Sequence, residues 1–340
     1  MRGVAALAVV CGHAMTMRFG MGISIEGGLA GLYLLQGGVD VFFVISGFII
    51  ATSADEIGAK FGRRGALEFS FRRAIRLYPM YWLVLVAAII SSHWIEIFPR
   101  SAGLSEVITW KHLLSLTVDN WYVPPAWSLC YELYFYAAVA LVIAITPWRV
   151  TETLLGLLAM VVFGDIIGIN LSIYGNPIVL EFGLGVVIAF TTRRNIFGRP
   201  LPFSCVTIAV PFFVVGWYAF CVGASNGGIR LLTFGLGSGL LIYAALSAEA
   251  NGARFPRWMQ WLGAISYSLY ITHHLLLTWL ALYNPTWLPG PLQMIAWVVI
   301  AIALSGLLYR WIEKPLLRAM RNQKAKAPNS IVKPLATSPQ

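Results

Sequence analysis

Arg2 and His13 are the only strongly polar side chains in the opening apolar run, MRGVAALAVVCGHAM. Eleven helical residues make three turns plus roughly 20°, so both side chains lie on one face about 16 Å apart along the axis. They can bracket one cavity. An ionisable group at membrane depth is costly and tends to face the interior of a helix bundle, where it marks a site or a pathway. The imidazole of His13 is thus a candidate for acid–base work, with a packing histidine as the plainer alternative. An arginine at a helix end is by itself a topology anchor, so Arg2 gains weight only from this spacing.

Four further segments carry chemistry. In GGVDVFFVISGFII, Asp40 follows Gly37 and Gly38, and Ser46-Gly47 follows within the helix. A carboxylate near His13 would orient its ring and stabilise the imidazolium; the plainer role for Asp40 is a helix N-cap. In FSFRRAIRLYPMYW, Arg72, Arg73 and Arg76 cluster, and Arg73 and Arg76 stand one turn apart on one face. Guanidinium forks suit phosphate oxygens, of a nucleotide-like donor such as coenzyme A or of lipid headgroups. In PPAWSLCYELYFYA, Glu132 stands among Trp127, Tyr131, Tyr134 and Tyr136. That acid can pair with arginine, bind a sugar hydroxyl or assist proton transfer, and the aromatic faces suit sugar rings or a membrane-interface belt. In ISYSLYITHH, His273 and His274 stand about 100° apart on a helix, so one of them is expected to face any given cavity. No metal-ligand spacing, nucleophile elbow or P-loop is present, and no metal site is expected.

The elements that must position these residues are membrane helices. The 340 residues are 59% hydrophobic and 11% charged, with a mean hydropathy of +0.75, which places the chain outside the range of soluble domains. Ten apolar stretches fall near 4–23, 33–53, 77–92, 126–146, 152–169, 174–191, 203–223, 229–247, 261–282 and 291–309, each close to the length a span needs. With the N-terminus cytoplasmic, 20 of the 24 lysines and arginines lie inside, and only Arg18, Arg100, Lys111 and Arg230 lie outside. The positive-inside rule thus supports ten spans with both termini cytoplasmic. It also accounts for the net charge of +10 without nucleic acid. The expected fold class is an all-α polytopic membrane bundle, with residues 1–320 as the membrane domain and 321–340 as a disordered cytoplasmic tail. The first stretch reads as a retained helix, not a removed signal peptide. Cys11, Cys130, Cys205 and Cys221 sit in apolar runs and imply no disulfide. The basic segment from Asp55 to Arg76 reads as a cytoplasmic loop leading into a helix, and residues 93–125 as an outer lid or re-entrant element.

Taken in order, Arg2-x10-His13, GGVDVFFVISGF, FRRAIRLYPMYW, WSLCYELYFY, ISYSLYITHH and the closing YRWIEKP resemble the integral-membrane acyltransferase 3 family, from Arg2 to about Pro315. Members usually carry several residues before the first arginine, where this sequence has Met1 alone. The resemblance implies transfer of an acyl group, usually acetyl, from cytoplasmic acyl-CoA to a hydroxyl of a glycan or lipid-linked oligosaccharide at the bacterial inner membrane. Acetyl-CoA would be a donor substrate, with no permanently bound cofactor. The resemblance makes His13 the catalytic histidine and Arg2 its partner, with Asp40 or Glu132 supporting it. It gives donor binding to Arg73 and Arg76, with Arg72 beside them, and sets Ser46 and His273 at recurrent positions; these two, with Trp127 and Tyr131 read from their ring faces alone, are the expected substrate contacts. His13 would act as general base or as a transient acyl carrier.

Two other classes fit the residues alone. A secondary transporter or lipid-linked-glycan translocase would use the intramembrane acids and histidines as a proton relay or cargo site, and would need no acyl donor. A non-catalytic membrane scaffold would tolerate loss of His13.

Overall fold

The computed structural model describes residues 1–19, 35, 37–92, 94, 109–169, 176–196, 202–283 and 288–326. Among these, every regular element is helical. The chain runs through α1 (Arg2–Phe19), α2 (Gly38–Phe61), α3 (Gly65–Ser91), α4 (Ala126–Ile145), α5 (Val150–Ile166), α6 (Leu180–Arg193) and α7 (Pro202–Cys221). It continues through α8 (Gly227–Ala250, with a π-helical turn at Leu231–Gly235), α9 (Arg257–Ala264), α10 (Ser266–Leu282) and α11 (Gly290–Leu308). A second π turn, Tyr309–Glu313, leads into α12 (Lys314–Lys326).

Among the described residues, five helical stretches are long and apolar enough to cross a membrane: Gly38–Ser91, Ala126–Ile145, Phe203–Cys221, Gly227–Ala250 and Gly290–Met320. Large apolar side chains cover their outer faces, among them Leu141, Val215 and Ile295, each more than half exposed. Such a surface is stable in hydrocarbon and not in water. The chain is therefore a membrane protein.

The segment expected as a loop is helical. α2 continues to Phe61, a single 3₁₀ turn at Gly62–Arg64 reverses the chain, and α3 begins at Gly65. Gly62 takes φ +58°, a conformation glycine adopts without penalty. The first turns of α3 are amphipathic: Phe69 is fully buried while Glu68 and Arg72 pair along the outer face at 2.6 Å. That i,i+4 geometry supports helix where the charge content alone suggested loop. Helix likewise runs past the expected boundary at residue 320, through Lys326, and residues 327–340 lie outside the described residues.

Residues 109–125 lie against α3, held by Trp82 Nε1 donating to Leu113 O (2.9 Å), Tyr78 Oη to Leu114 O (3.2 Å) and Tyr81 Oη to His112 O. Residue 93 and residues 95–108, the rest of the expected lid, lie outside the described residues.

α1 sits inside the bundle, packed against α2, α9, α10 and α11, so Arg2 and His13 face protein. α2 crosses α6 at closest approach through Gly47 and Gly185. A Cβ on Gly47 would stand 2.0 Å from Phe182 O, and one on Gly185 2.1 Å from Val44 O. Small residues at such a crossing let two backbones touch. Where α2 ends, Asp55 ties three helices together. It accepts from Thr151 N (3.1 Å) and Thr151 Oγ1 (2.5 Å) on α5, and from Arg193 Nη1 (2.8 Å) on α6.

Candidate active site

His13 faces two histidines of α10. Its ring centroid lies 5.1 Å from that of His273 and 5.8 Å from that of His274. Both neighbours reach it, where the 100° stagger predicted one, because His13 stands across the gap between the two adjacent positions. Two of these rings have a fixed tautomer. His13 Nδ1 lies 3.0 Å from Val9 O and His273 Nδ1 lies 2.6 Å from Tyr270 O. A carbonyl can only accept, so each Nδ1 carries the hydrogen, and in the neutral ring each Nε2 keeps its lone pair. His273 Nε2 is buried with no hydrogen-bond partner. The helices thus hold two imidazoles with basic nitrogens free.

At the other end of the same face, Arg2 meets Arg73 and Arg76 of α3. The three guanidinium groups, with Glu132 and Tyr136 of α4, lie within electrostatic range of one another. Tyr136 Oη donates to Glu132 Oε1 at 2.5 Å. Arg73 stacks over the rings of Phe69 (5.1 Å) and Tyr136 (5.5 Å), and Arg2 over Phe42 (5.5 Å), contacts that stabilise cations away from water. The Nε atoms of Arg2 and Arg73 are buried without a partner, and none of the three arginines forms an ion pair with a described carboxylate. Such a cluster is poised to take an anion. Glu313 approaches Arg76 and Arg2 from the π turn after α11, held by Ser268 Oγ donating to its Oε2 at 2.6 Å.

A cavity of about 20 Å³ lies beside the arginine cluster, lined by Arg2, Ser46, Ser128, Glu132, Tyr267 and Tyr270 among others. It is room for about one water. Tyr270 spans the remaining distance: its hydroxyl pairs with Ser128 Oγ at 2.7 Å, and its ring lies 5.8 Å from that of His273. Polar groups therefore run from the arginines to the histidines beside α1.

The structure brings neither Asp40 nor Glu132 to His13. Asp40 is fully buried, in the first turn of α2, and caps nothing. Arg230 of α8 binds it through Nε to Oδ1 (3.2 Å) and Nη2 to Oδ2 (2.6 Å), and the buried Glu181 of α6 lies beside the pair. Arg72 turns away from Arg73 and Arg76 to bind Glu68. Ser46 is on the cavity wall. Trp127, partly buried, and Tyr131, buried, pack edge-on against Phe43, in a layer that also holds Phe182, Val9 and Tyr270. Among the described residues no group of three or more His, Cys, Asp or Glu side chains is arranged to hold a metal.

Arg230, Glu181, Glu313, Tyr270 and Ser128 occupy positions whose importance the sequence alone did not reveal. Arg230 had a signal, as one of four basic residues on the wrong side of the charge asymmetry. Glu313 lies within YRWIEKP, a segment that carried only the family resemblance.

The membrane bundle with a histidine cluster and a buried arginine cluster defines a class that comparison with known proteins names. Residues 1–310 match the acyltransferase domain family, acyltransferase 3. The chain belongs to this family. It is 30% identical over 315 residues to the exopolysaccharide production protein ExoZ of Rhizobium meliloti, covering 85% of this chain and 92% of that protein. It is 25% identical to the acyltransferase MdmB of Streptomyces mycarofaciens, over all of this chain and 93% of MdmB. It is 28% identical over 321 residues to the O-acetyltransferase OatA of Staphylococcus aureus, where 82% of this chain covers 52% of OatA. No solved structure matches it significantly. The chain is thus an O-acyltransferase enzyme, which sets aside the transporter and scaffold alternatives.

Proposed function

We propose that this enzyme moves an acetyl group from cytoplasmic acetyl-CoA to a hydroxyl of a surface or secreted glycan, as a ten-span protein of the bacterial inner membrane with both termini inside. The observation that carries the reading is the pairing of a free-Nε2 imidazole and an unpaired arginine cluster along one face of α1. The names of the relatives, exopolysaccharide production protein and O-acetyltransferase, support a glycan acceptor and an acetyl group.

The donor phosphates bind at Arg73 and Arg76, joined by Arg2, and the thioester arm runs past Glu132, Ser46 and Tyr270 toward His13. Arg2 belongs with the donor here, because the helical rise keeps it about 16 Å from the imidazole. His13 Nε2 takes the proton of the acceptor hydroxyl as the oxygen attacks the thioester carbonyl. The carbon–sulfur bond then breaks, and the imidazolium returns the proton to the departing thiolate. An acyl-imidazole on Nε2 would split this into two steps. Passage of the arm requires the cavity to open beyond its present size.

Thiol release from acetyl-CoA by the purified enzyme in lipid discs tests the reading, with surface glycan extracted from a deletion strain as acceptor. Release that needs both glycan and His13 supports it. Release without His13 contradicts the base, and an absence of acyl-CoA turnover contradicts the donor.

A further inference from the structure

We propose that His273 is a positioning residue for the reaction, the acceptor that receives the new N–H of His13 when His13 becomes an imidazolium. This deepens the reading of His13 as base and rests on it.

A histidine base commonly leans on a carboxylate, and here both candidate acids are elsewhere, Asp40 with Arg230 and Glu132 with Tyr136. Val9 O, bound to His13 Nδ1, is a neutral acceptor. What His13 has at hand is the His273 ring, 5.1 Å away by centroid and tilted by 53°. His273 is fully buried, its Nδ1–H is given to Tyr270 O, and its Nε2 has no partner. A buried acceptor left empty is costly unless something fills it during function.

The fixed tautomers explain why the two neutral rings do not bond to each other. With hydrogen on both Nδ1 atoms, the two Nε2 atoms are both lone-pair acceptors and cannot bond to each other. A proton arriving on His13 Nε2 turns the pair into donor and acceptor. The proton comes from the substrate hydroxyl as the carbon–oxygen bond forms, is shared toward His273 while the carbonyl adduct exists, and leaves on the coenzyme A sulfur as the carbon–sulfur bond breaks. His273 begins and ends neutral, and no further reactant is needed. His274, also beside His13, has no carbonyl fixing its tautomer and is not needed in this scheme.

The test uses the full-length enzyme in lipid discs, acetyl-CoA and glycan from a deletion strain, with His273→Phe, His273→Gln and His273→Ala variants that remain monodisperse. A hydrogen bond to a charged group is worth enough that His273→Phe should lower kcat about 10- to 100-fold, with KM for acetyl-CoA within about threefold of wild type. Gln supplies an acceptor oxygen, so His273→Gln should retain about tenfold more kcat than Phe. Added imidazole should restore His273→Ala and leave His273→Phe unchanged. Unchanged kcat in the Phe variant, equal rates for Phe and Gln, or an effect confined to KM overturns the proposal. Full activity of His13→Ala instead overturns the base on which it rests.

Discussion

Arg230 holds Asp40 with both sides of its guanidinium, joining the first turn of α2 to α8, and Glu181 of α6 completes the meeting of three helices. Asp40 is fully buried and the Arg230 side chain only 20% exposed. The relationship therefore organises the wall of the bundle on which Phe43 and Ser46 stand.

Removing Arg230 leaves Asp40 and Glu181 buried without their cation, a loss of about 3–5 kcal/mol, whereas removing Asp40 leaves Glu181 beside Arg230. Arg230→Ala should sharply reduce the yield of monodisperse protein and its thermal midpoint in detergent, and Asp40→Ala should do so less. The Asp40→Leu/Arg230→Met double variant should be more stable than either single change. Equal, additive losses would show that the two residues act independently.

The α2–α6 crossing has no space for a side chain at Gly47. Gly47→Ala should deplete folded enzyme, because the obstacle is the Phe182 carbonyl and not a movable side chain. Gly156, exposed on α5 with nothing within 4 Å of where a Cβ would stand, is the matched control. Gly156→Ala should be neutral or stabilising by about 0.5–1 kcal/mol, from helix propensity. Thermal unfolding of the two variants side by side measures the contrast.

The arginines should divide by their partners. Arg73→Lys and Arg76→Lys remove the forked geometry from the inner cluster and should raise KM for acetyl-CoA about tenfold, with a smaller change in kcat. Arg72 spends its charge on Glu68 at a partly exposed helix face, where such pairs are worth about 0–1 kcal/mol. Arg72→Ala should change KM less than about twofold. Titration of acetyl-CoA at saturating glycan separates these outcomes, and equal effects at all three positions would contradict donor binding by the inner pair alone.

Much of the helical bundle was legible because apolar runs are local and additive along the chain. The α2–α3 reversal was not, because Glu68 and Arg72 look like a loop until Phe69 is seen to be buried beneath them. The Arg2–His13 spacing survived since one helix fixes both residues. Partners in three dimensions did not follow from spacing: Asp40 and Arg230 stand 190 positions apart, and Glu132 finds Tyr136 four residues along its own helix. Arg18 and Arg230 broke the charge bias, and each bonds a buried polar side chain, Gln293 and Asp40. An arginine set against the expected charge bias was thus a readable sign of a partner, without naming it. Trp127 and Tyr131 were legible only as aromatics, since the same ring faces suit a sugar, an interface or packing against Phe43.

The most direct test of the central claim is the O-acetyl content of cell-surface glycan, measured by NMR before and after mild base, in a deletion strain complemented with wild type or with equally expressed His13→Ala. Catalysis through His13 predicts base-labile acetyl with wild type and none with His13→Ala. Full restoration by His13→Ala would contradict it.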